Sequence, residues 1–122
     1  NNNNKMTDTT ATPTIPTPTY EKRDYTLAEI TQYDGTSADK PIFVSVGGII
    51  FDVTEKRDLY GVGGGYHVFA GHDVTKCLGK NNLDPTCLDQ PDTSSYDEKE
   101  LGLVEKWAKF YQNKYTVVGN LI

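Results

Sequence analysis

Two tyrosines, Tyr60 and Tyr66, bracket a glycine run, and their phenols are where chemistry in this chain would begin. The stretch from Leu59 to Asp73 also holds Gly61, Gly63, Gly64, Gly65 and Gly71, too many for the interior of a stable helix or strand, so a loop is predicted. A missing Cβ lets backbone approach a flat or bulky object, while the phenols supply aromatic walls with polar oxygens. The segment reads either as a cradle with two polar handles or as a surface turn whose tyrosines cap the core.

Other chemistries find less support. A phosphate loop opening at Gly61 needs a glycine where Tyr66 stands, and no Lys-Ser or Lys-Thr pair follows. There is no Gly-x-Ser-x-Gly, and the two histidines, His67 and His72, read as solvated or hydrogen-bonded loop side chains rather than as ligands or bases. Acidic residues fall in turns and helix starts, where capping accounts for them. No residue set specifies a reaction, so a non-enzymatic protein is expected. Cys77 and Cys87 form no Cys-x-x-Cys motif and have no His at zinc-site spacing; two reduced thiols are expected rather than a disulfide.

Haem fits these residues better. A cleft of aromatic rings and glycine suits a flat apolar macrocycle, whose iron can be held axially by Tyr as well as by His, Cys or Met. A free phenol ionises near pH ~10, but a ferric ion bonded to the oxygen displaces that proton at neutral pH. The anionic donor favours the ferric state and hence a low reduction potential. Lys114 could neutralise a propionate or the phenolate; taken alone it reads rather as an ordinary helix-end lysine.

The elements that must position these groups are readable in outline. Residues 1–24 are Asn-, Thr- and Pro-rich and are expected to be a disordered leader, native or cut back from an upstream membrane anchor; residues 25–122 form the domain. Thr26 and Glu29 make a capping box for a short helix that stops by Gly35. From Pro41 the period is two: Ile42, Val44 and Val46 share one side of a strand, Phe43 and Ser45 the other. Gly47-Gly48 is then a hairpin turn, and the return strand, Ile49 to Val53, puts Ile49, Phe51 and Val53 on one face. Beyond the glycine loop, Val68 to Ala70 should be a short buried turn and Asp73 should cap a helix over residues 74–78. Asn81 to Ser94 reads as an irregular excursion. Ser95 and Glu98 form a second capping box, followed by Leu101, Val104, Trp107, Ala108 and Tyr111 at helical spacing. Lys114 and Tyr115 close that helix, and Thr116 to Val118 is predicted as an edge strand beside the hairpin. The fold class is α+β, a small sheet with short helices around a cleft.

A formal net charge of -5 leaves no basic field for a phosphate backbone, so nucleic acid is not an expected partner. No apolar run reaches the roughly 18 to 20 residues that span a bilayer, nor is there the apolar core of a secretory signal.

In this order the segments Tyr25-Thr-Leu-Ala-Glu-Ile, Phe51-Asp-Val-Thr, Tyr60-Gly-x-x-Gly-x-Tyr66, Phe69-Ala-Gly-x-Asp73, and Trp107 with Lys114-Tyr115 and Val118-Gly119 resemble the membrane-associated progesterone receptor family, the tyrosine-ligated branch of the cytochrome b5-like haem/steroid-binding fold. The resemblance covers Tyr25 to Ile122. It implies that Tyr66 is the axial ligand of a ferric haem b, that Tyr60 supports it, and that Lys114 and Tyr115 reach the cofactor from the last helix. It further implies a five-coordinate iron with one open face, in a monomer or a haem-mediated homodimer. Family members are described as binding steroids and as assisting haem monooxygenases of sterol metabolism at the endoplasmic reticulum. An adaptor or haem donor in the cytoplasm or on the cytosolic face of that membrane is therefore expected, with steroid or partner binding in which haem is incidental as the alternative. The His-Pro-Gly-Gly of ordinary cytochrome b5 is absent, which disfavours a bis-histidine electron carrier. Many relatives also have prolines where this chain has Val62 and Gly65, so its loop is less preorganised.

Overall fold

The computed structural model describes residues 20–122, and the leader expected over the first residues lies outside them up to residue 19. Three antiparallel strands, β1 (Phe43–Val46), β2 (Ile49–Asp52) and β3 (Thr116–Asn120), form a sheet in that spatial order, with an irregularity between Ile50 and Phe51. Gly47 and Gly48 both take positive φ, +61° and +85°, the conformation a two-residue hairpin with native twist requires. The alternation read from the sequence holds. Ile42, Val44 and Val46 join Phe51, Val53, Tyr60, Phe69 and Tyr111 in one core, whereas Phe43 and Ile50 pack with Tyr25, Ile30 and Val118 in a second core on the opposite face. Both faces of the hairpin are thus buried.

The helices are α1 (Leu27–Ile30), α2 (Arg57–Tyr60), α3 (Thr75–Gly79) and α4 (Glu98–Lys114). α1 has the expected box, Glu29 N–H donating to Thr26 Oγ1 at 3.1 Å and Thr26 N–H to Glu29 Oε1 at 2.9 Å. α3 begins one residue later than predicted, but Asp73 still acts there: its carboxylate accepts from Ser45 Oγ at 3.0 Å, Thr75 Oγ1 at 2.8 Å and Thr75 N–H at 3.3 Å. The second box is corrected. Asp97 with Glu100, not Ser95 with Glu98, caps α4, through bonds of 2.8 and 3.0 Å. Two overlapping boxes compete at this point, and Glu100 is also held by Lys80 Nζ at 2.9 Å, which favours the later one. β3 is the expected addition to the hairpin. Preceding β1, Tyr20 to Asp24 lie on the body, with the Tyr20 ring edge-on to Phe43 at 5.1 Å and Asn120 N–H donating to Asp24 Oδ1 at 2.9 Å.

The expectation of two reduced thiols is overturned: Cys77 and Cys87 form a disulfide, with their Cα atoms 5.0 Å apart. The polar excursion after α3 folds back so that a 3-10 turn, Pro85–Cys87, lands beside that helix. Spacing along the chain carries no sign of this return. Closing a ring this short removes about 2–3 kcal/mol of freedom from the unfolded chain. Replacing both residues, Cys77→Ser with Cys87→Ser, is expected to lower unfolding free energy by about that amount, as read from urea unfolding of the oxidised protein and the variant.

Candidate functional site

α2, the glycine loop, α3 and α4 surround an open cavity of about 540 Å³. That lies within the roughly 300–1,000 Å³ of ordinary ligand pockets. All four residues singled out from the sequence, Tyr60, Tyr66, Lys114 and Tyr115, line it. Leu59, Phe69, Leu78, Leu83, Trp107 and Phe110 supply most of the apolar wall.

Local structure explains how the two loop tyrosines come to face one space. Tyr60 ends α2, and the chain then doubles back so that Tyr66 N–H donates to Leu59 O at 2.8 Å and Gly64 N–H to Gly61 O at 3.0 Å. Gly64 allows this return. A Cβ there would lie inside the contact distance of the Leu59 carbonyl and 2.7 Å from Asp58 O, so the glycine serves backbone against backbone rather than backbone against a ligand. A 3-10 turn over His67–Phe69 follows, stacking the Tyr66 ring on Phe69 at 5.9 Å and 10°, with the tilted Tyr60 ring centre also 5.9 Å away.

The four tyrosines of the cavity differ in what their hydroxyls do. Tyr60 and Tyr111 are buried and share a hydrogen bond of 2.8 Å, and the Tyr115 ring meets Tyr60 edge-on at 6.3 Å. Burial pushes the phenols of Tyr60, Tyr115 and Tyr111 up, Tyr111 to about 12, so all three are neutral at physiological pH. Tyr66, by contrast, is 48% exposed, and its hydroxyl has no hydrogen-bond partner among the described residues. Lys114 Nζ lies 5.4 Å from the Phe110 ring centre at the exposed end of α4, with no ion pair among the described residues.

The raised phenols have a consequence for stability. Unfolded tyrosines ionise near pH ~10. Below that value folded and unfolded chains hold the same phenol protons; above it the unfolded chain releases protons that the folded chain keeps. Stability should therefore be unaffected by these groups below about pH 10 and fall as pH rises beyond it, by up to about 1.4 kcal/mol per unit for each of the buried phenols Tyr60 and Tyr111. Urea unfolding between about pH 9 and about pH 11 checks this, and Tyr111→Phe should make the slope shallower.

Tyr111 is the site residue that sequence reading placed elsewhere, as one of a helical row facing the core. It is buried as expected, but its hydroxyl turns to Tyr60. Trp107, in the same row, is not a core residue: it is 37% exposed and lines the cavity with Phe110. Leu101 is exposed too, so Val104, Ala108 and Tyr111 make the inward face of α4. The histidines are engaged as loop side chains, His67 Nδ1 with Tyr60 O at 3.0 Å and His72 Nδ1 with Asp89 Oδ2 at 2.9 Å. Among the described residues no three His, Cys, Asp or Glu side chains gather into a metal-ion cage, and no helix is long and apolar enough to cross a membrane.

The fold is cytochrome b5-like. A solved structure from Arabidopsis thaliana with that fold superposes at a TM-score of 0.74 with 36% identity, covering 81% of this chain and 90% of the other. No family model matches the chain. Pairwise similarity does: the probable steroid-binding protein 3 of Arabidopsis thaliana is 36% identical over 99 residues, 81% of this chain and 98% of that protein. Human membrane-associated progesterone receptor component 2 is 35% identical over 90% of this chain, and the Schizosaccharomyces pombe cytochrome P450 regulator dap1 is 35% identical over 84%. The chain belongs to the membrane-associated progesterone receptor family. It spans 50% of the human relative and 64% of the yeast one, and these relatives are named as binding or regulatory proteins rather than enzymes.

Proposed function

We propose that residues 25–122 are a non-enzymatic haem-binding module in which Tyr66 would ligate the iron of a ferric haem b. The observation that carries this reading is the inequality among the cavity tyrosines. Tyr60 and Tyr111 satisfy one another in the interior, while Tyr66 brings to an apolar cavity of suitable size an exposed phenol with no hydrogen-bond partner among the described residues. An oxygen bonded only to solvent can take a metal bond by giving up water, without leaving a buried protein group unpaired. Tyr66 would surrender its proton on coordination, Tyr60 and Phe69 would pack against its ring, and Lys114 at the rim would offset a propionate charge. Tyr115, beside Tyr60, would complete the polar end of the cavity. A tyrosinate-bound ferric haem would supply a metal centre of low reduction potential. The apolar wall would exclude water from the face it covers.

A relative named as a cytochrome P450 regulator supports a role beside haem monooxygenases; the further proposal is an adaptor or haem donor in sterol metabolism at the endoplasmic reticulum, working as a monomer or a haem-mediated homodimer. Adding ferric haem to the purified protein should give a saturable, stoichiometric visible spectrum of the high-spin tyrosinate type. It should survive His67→Ala and His72→Ala; a spectrum that disappears in either variant contradicts the assignment. A second reading is favoured by the apolar lining and by the steroid-binding relatives: an apolar ligand such as a steroid occupies the cavity and haem is incidental. Saturable sterol binding to haem-free protein, unchanged by Tyr66→Phe, would establish it.

A further inference from the structure

One stretch of the cavity wall is enclosed in a small covalent ring. Cys77, fully buried on α3, lines the cavity, and its partner Cys87 is buried in the 3-10 turn Pro85–Cys87. Between them the chain contributes Leu78, Asn81 and Leu83 to the lining. Nearly everything else about this segment is local. Asn81 to Thr86 are exposed, Leu83 by 66%. Their hydrogen bonds run from Asn81 N–H to Leu78 O at 3.3 Å, from Asn82 N–H to Cys77 O at 3.0 Å, from Asp84 N–H to Asn82 Oδ1 at 3.0 Å and from Thr86 N–H to Asp84 Oδ1 at 3.0 Å. Among the described residues none reaches the sheet or α4. The next anchor beyond the bridge is Asp89, whose N–H donates to Asp73 O at 2.8 Å.

We propose that the Cys77–Cys87 disulfide is a redox-sensitive latch that positions this wall, so that reduction loosens the segment between the cysteines and weakens the hold on whatever occupies the cavity. The inference rests on the cavity being the ligand site, as in the proposed function, but not on which ligand fills it. A dithiol reductant supplies the chemistry. Because both half-cystines are buried, its thiolate reaches the bridge from the open cavity that Cys77 lines; it attacks one bridge sulfur, the S–S bond breaks to a mixed disulfide, and its second thiol displaces the protein sulfur. Two electrons and two protons pass to Cys77 and Cys87, and the reductant leaves as its own cyclic disulfide. Disulfides persist in oxidising compartments and in the cytosol are mostly transient or redox-sensing. The same bond is therefore a fixed staple in one setting and a switch in the other. Linkage requires the converse effect: a ligand that prefers the latched wall makes the bond harder to reduce.

The test compares the full chain in its oxidised form with its dithiothreitol-reduced form and with the Cys77→Ser/Cys87→Ser variant, which removes the bond with no reductant present to compete for haem. Amide hydrogen exchange on ligand-free protein is expected to quicken about 10-fold across residues 81–86 on reduction, with the β1 and β2 amides, which open only on global unfolding, remaining the slowest in both forms. Ferric haem, used as the probe, should dissociate at least about 5-fold faster from the variant than from the oxidised wild type. Unchanged exchange across residues 81–86 in the reduced wild type, or equal haem dissociation from the two proteins, overturns the proposal. If ferric haem binds neither protein, the haem assignment fails, and the exchange comparison, which uses no ligand, decides the latch by itself.

Discussion

Replacing Tyr66 by Phe is expected to weaken ferric haem binding about 100-fold or more and leave the fold intact. The substitution removes one oxygen and keeps the ring that stacks on Phe69 and flanks Tyr60, so the cavity retains its walls. Because that oxygen makes no hydrogen bond among the described residues, nothing in the protein loses a partner, and stability should change by no more than about 0.5 kcal/mol. The loss of affinity is set by the metal bond. Removing even an outer-shell partner of a metal ligand costs roughly 10- to 100-fold, and removal of the ligand itself should reach at least the upper figure. Haem titration followed by absorbance, with thermal unfolding of the same samples, separates the two effects. A large fall in stability would mean that the Tyr66 hydroxyl serves the fold.

Gly64→Ala should be the most damaging change of a single methyl in the loop. The added Cβ would collide with the backbone of Leu59 and stand 2.7 Å from Asp58 O, and backbone at the end of α2 cannot swing aside as a flexible side chain can. The loop must move instead, breaking the 2.8 Å bond from Tyr66 N–H to Leu59 O that sets where the phenol stands. Overpacking of this kind costs about 1–3 kcal/mol. A displacement of Tyr66 by about 1 Å could cost haem affinity on the order of 100-fold, as misplacement does in other preorganised sites. Gly65→Ala is the control, since a Cβ at that position meets nothing within 4 Å. Equal affinities and unfolding midpoints for the two variants would show that the close approach at Gly64 does not set the site.

How much of this was legible in the sequence depends on the range over which each feature is decided. The hairpin and the Thr26 box are local: alternation, a Gly-Gly pair and a Thr–Glu spacing determine them within a few residues, and the structure follows. The start of α4 was ambiguous because Ser95/Glu98 and Asp97/Glu100 satisfy the same local rule, and only Lys80, distant along the chain, distinguishes them. The disulfide was invisible for a related reason. Whether Cys77 meets Cys87 depends on how the polar excursion returns, and the side chains there announce a loop without giving its path. Tyr60, Tyr66, Lys114 and Tyr115 stand out through spacing and resemblance, and all four line the cavity. Tyr111 was missed as a site residue because helical periodicity records that it faces inward, whereas the role of its hydroxyl exists only once Tyr60 is opposite. Leu78 and Leu83 were missed because an irregular segment carries no pattern by which an apolar side chain can be assigned a direction.

An iron–oxygen bond to Tyr66 is the centre of the proposed function. Resonance Raman spectroscopy of the ferric haem complex, excited in the phenolate-to-iron charge-transfer region, reads that bond directly when the protein is prepared with ring-deuterated tyrosine. The prediction is a set of enhanced tyrosine ring modes that shift on deuteration and vanish in Tyr66→Phe. Modes that do not shift, or that persist unchanged in Tyr66→Phe, would contradict it.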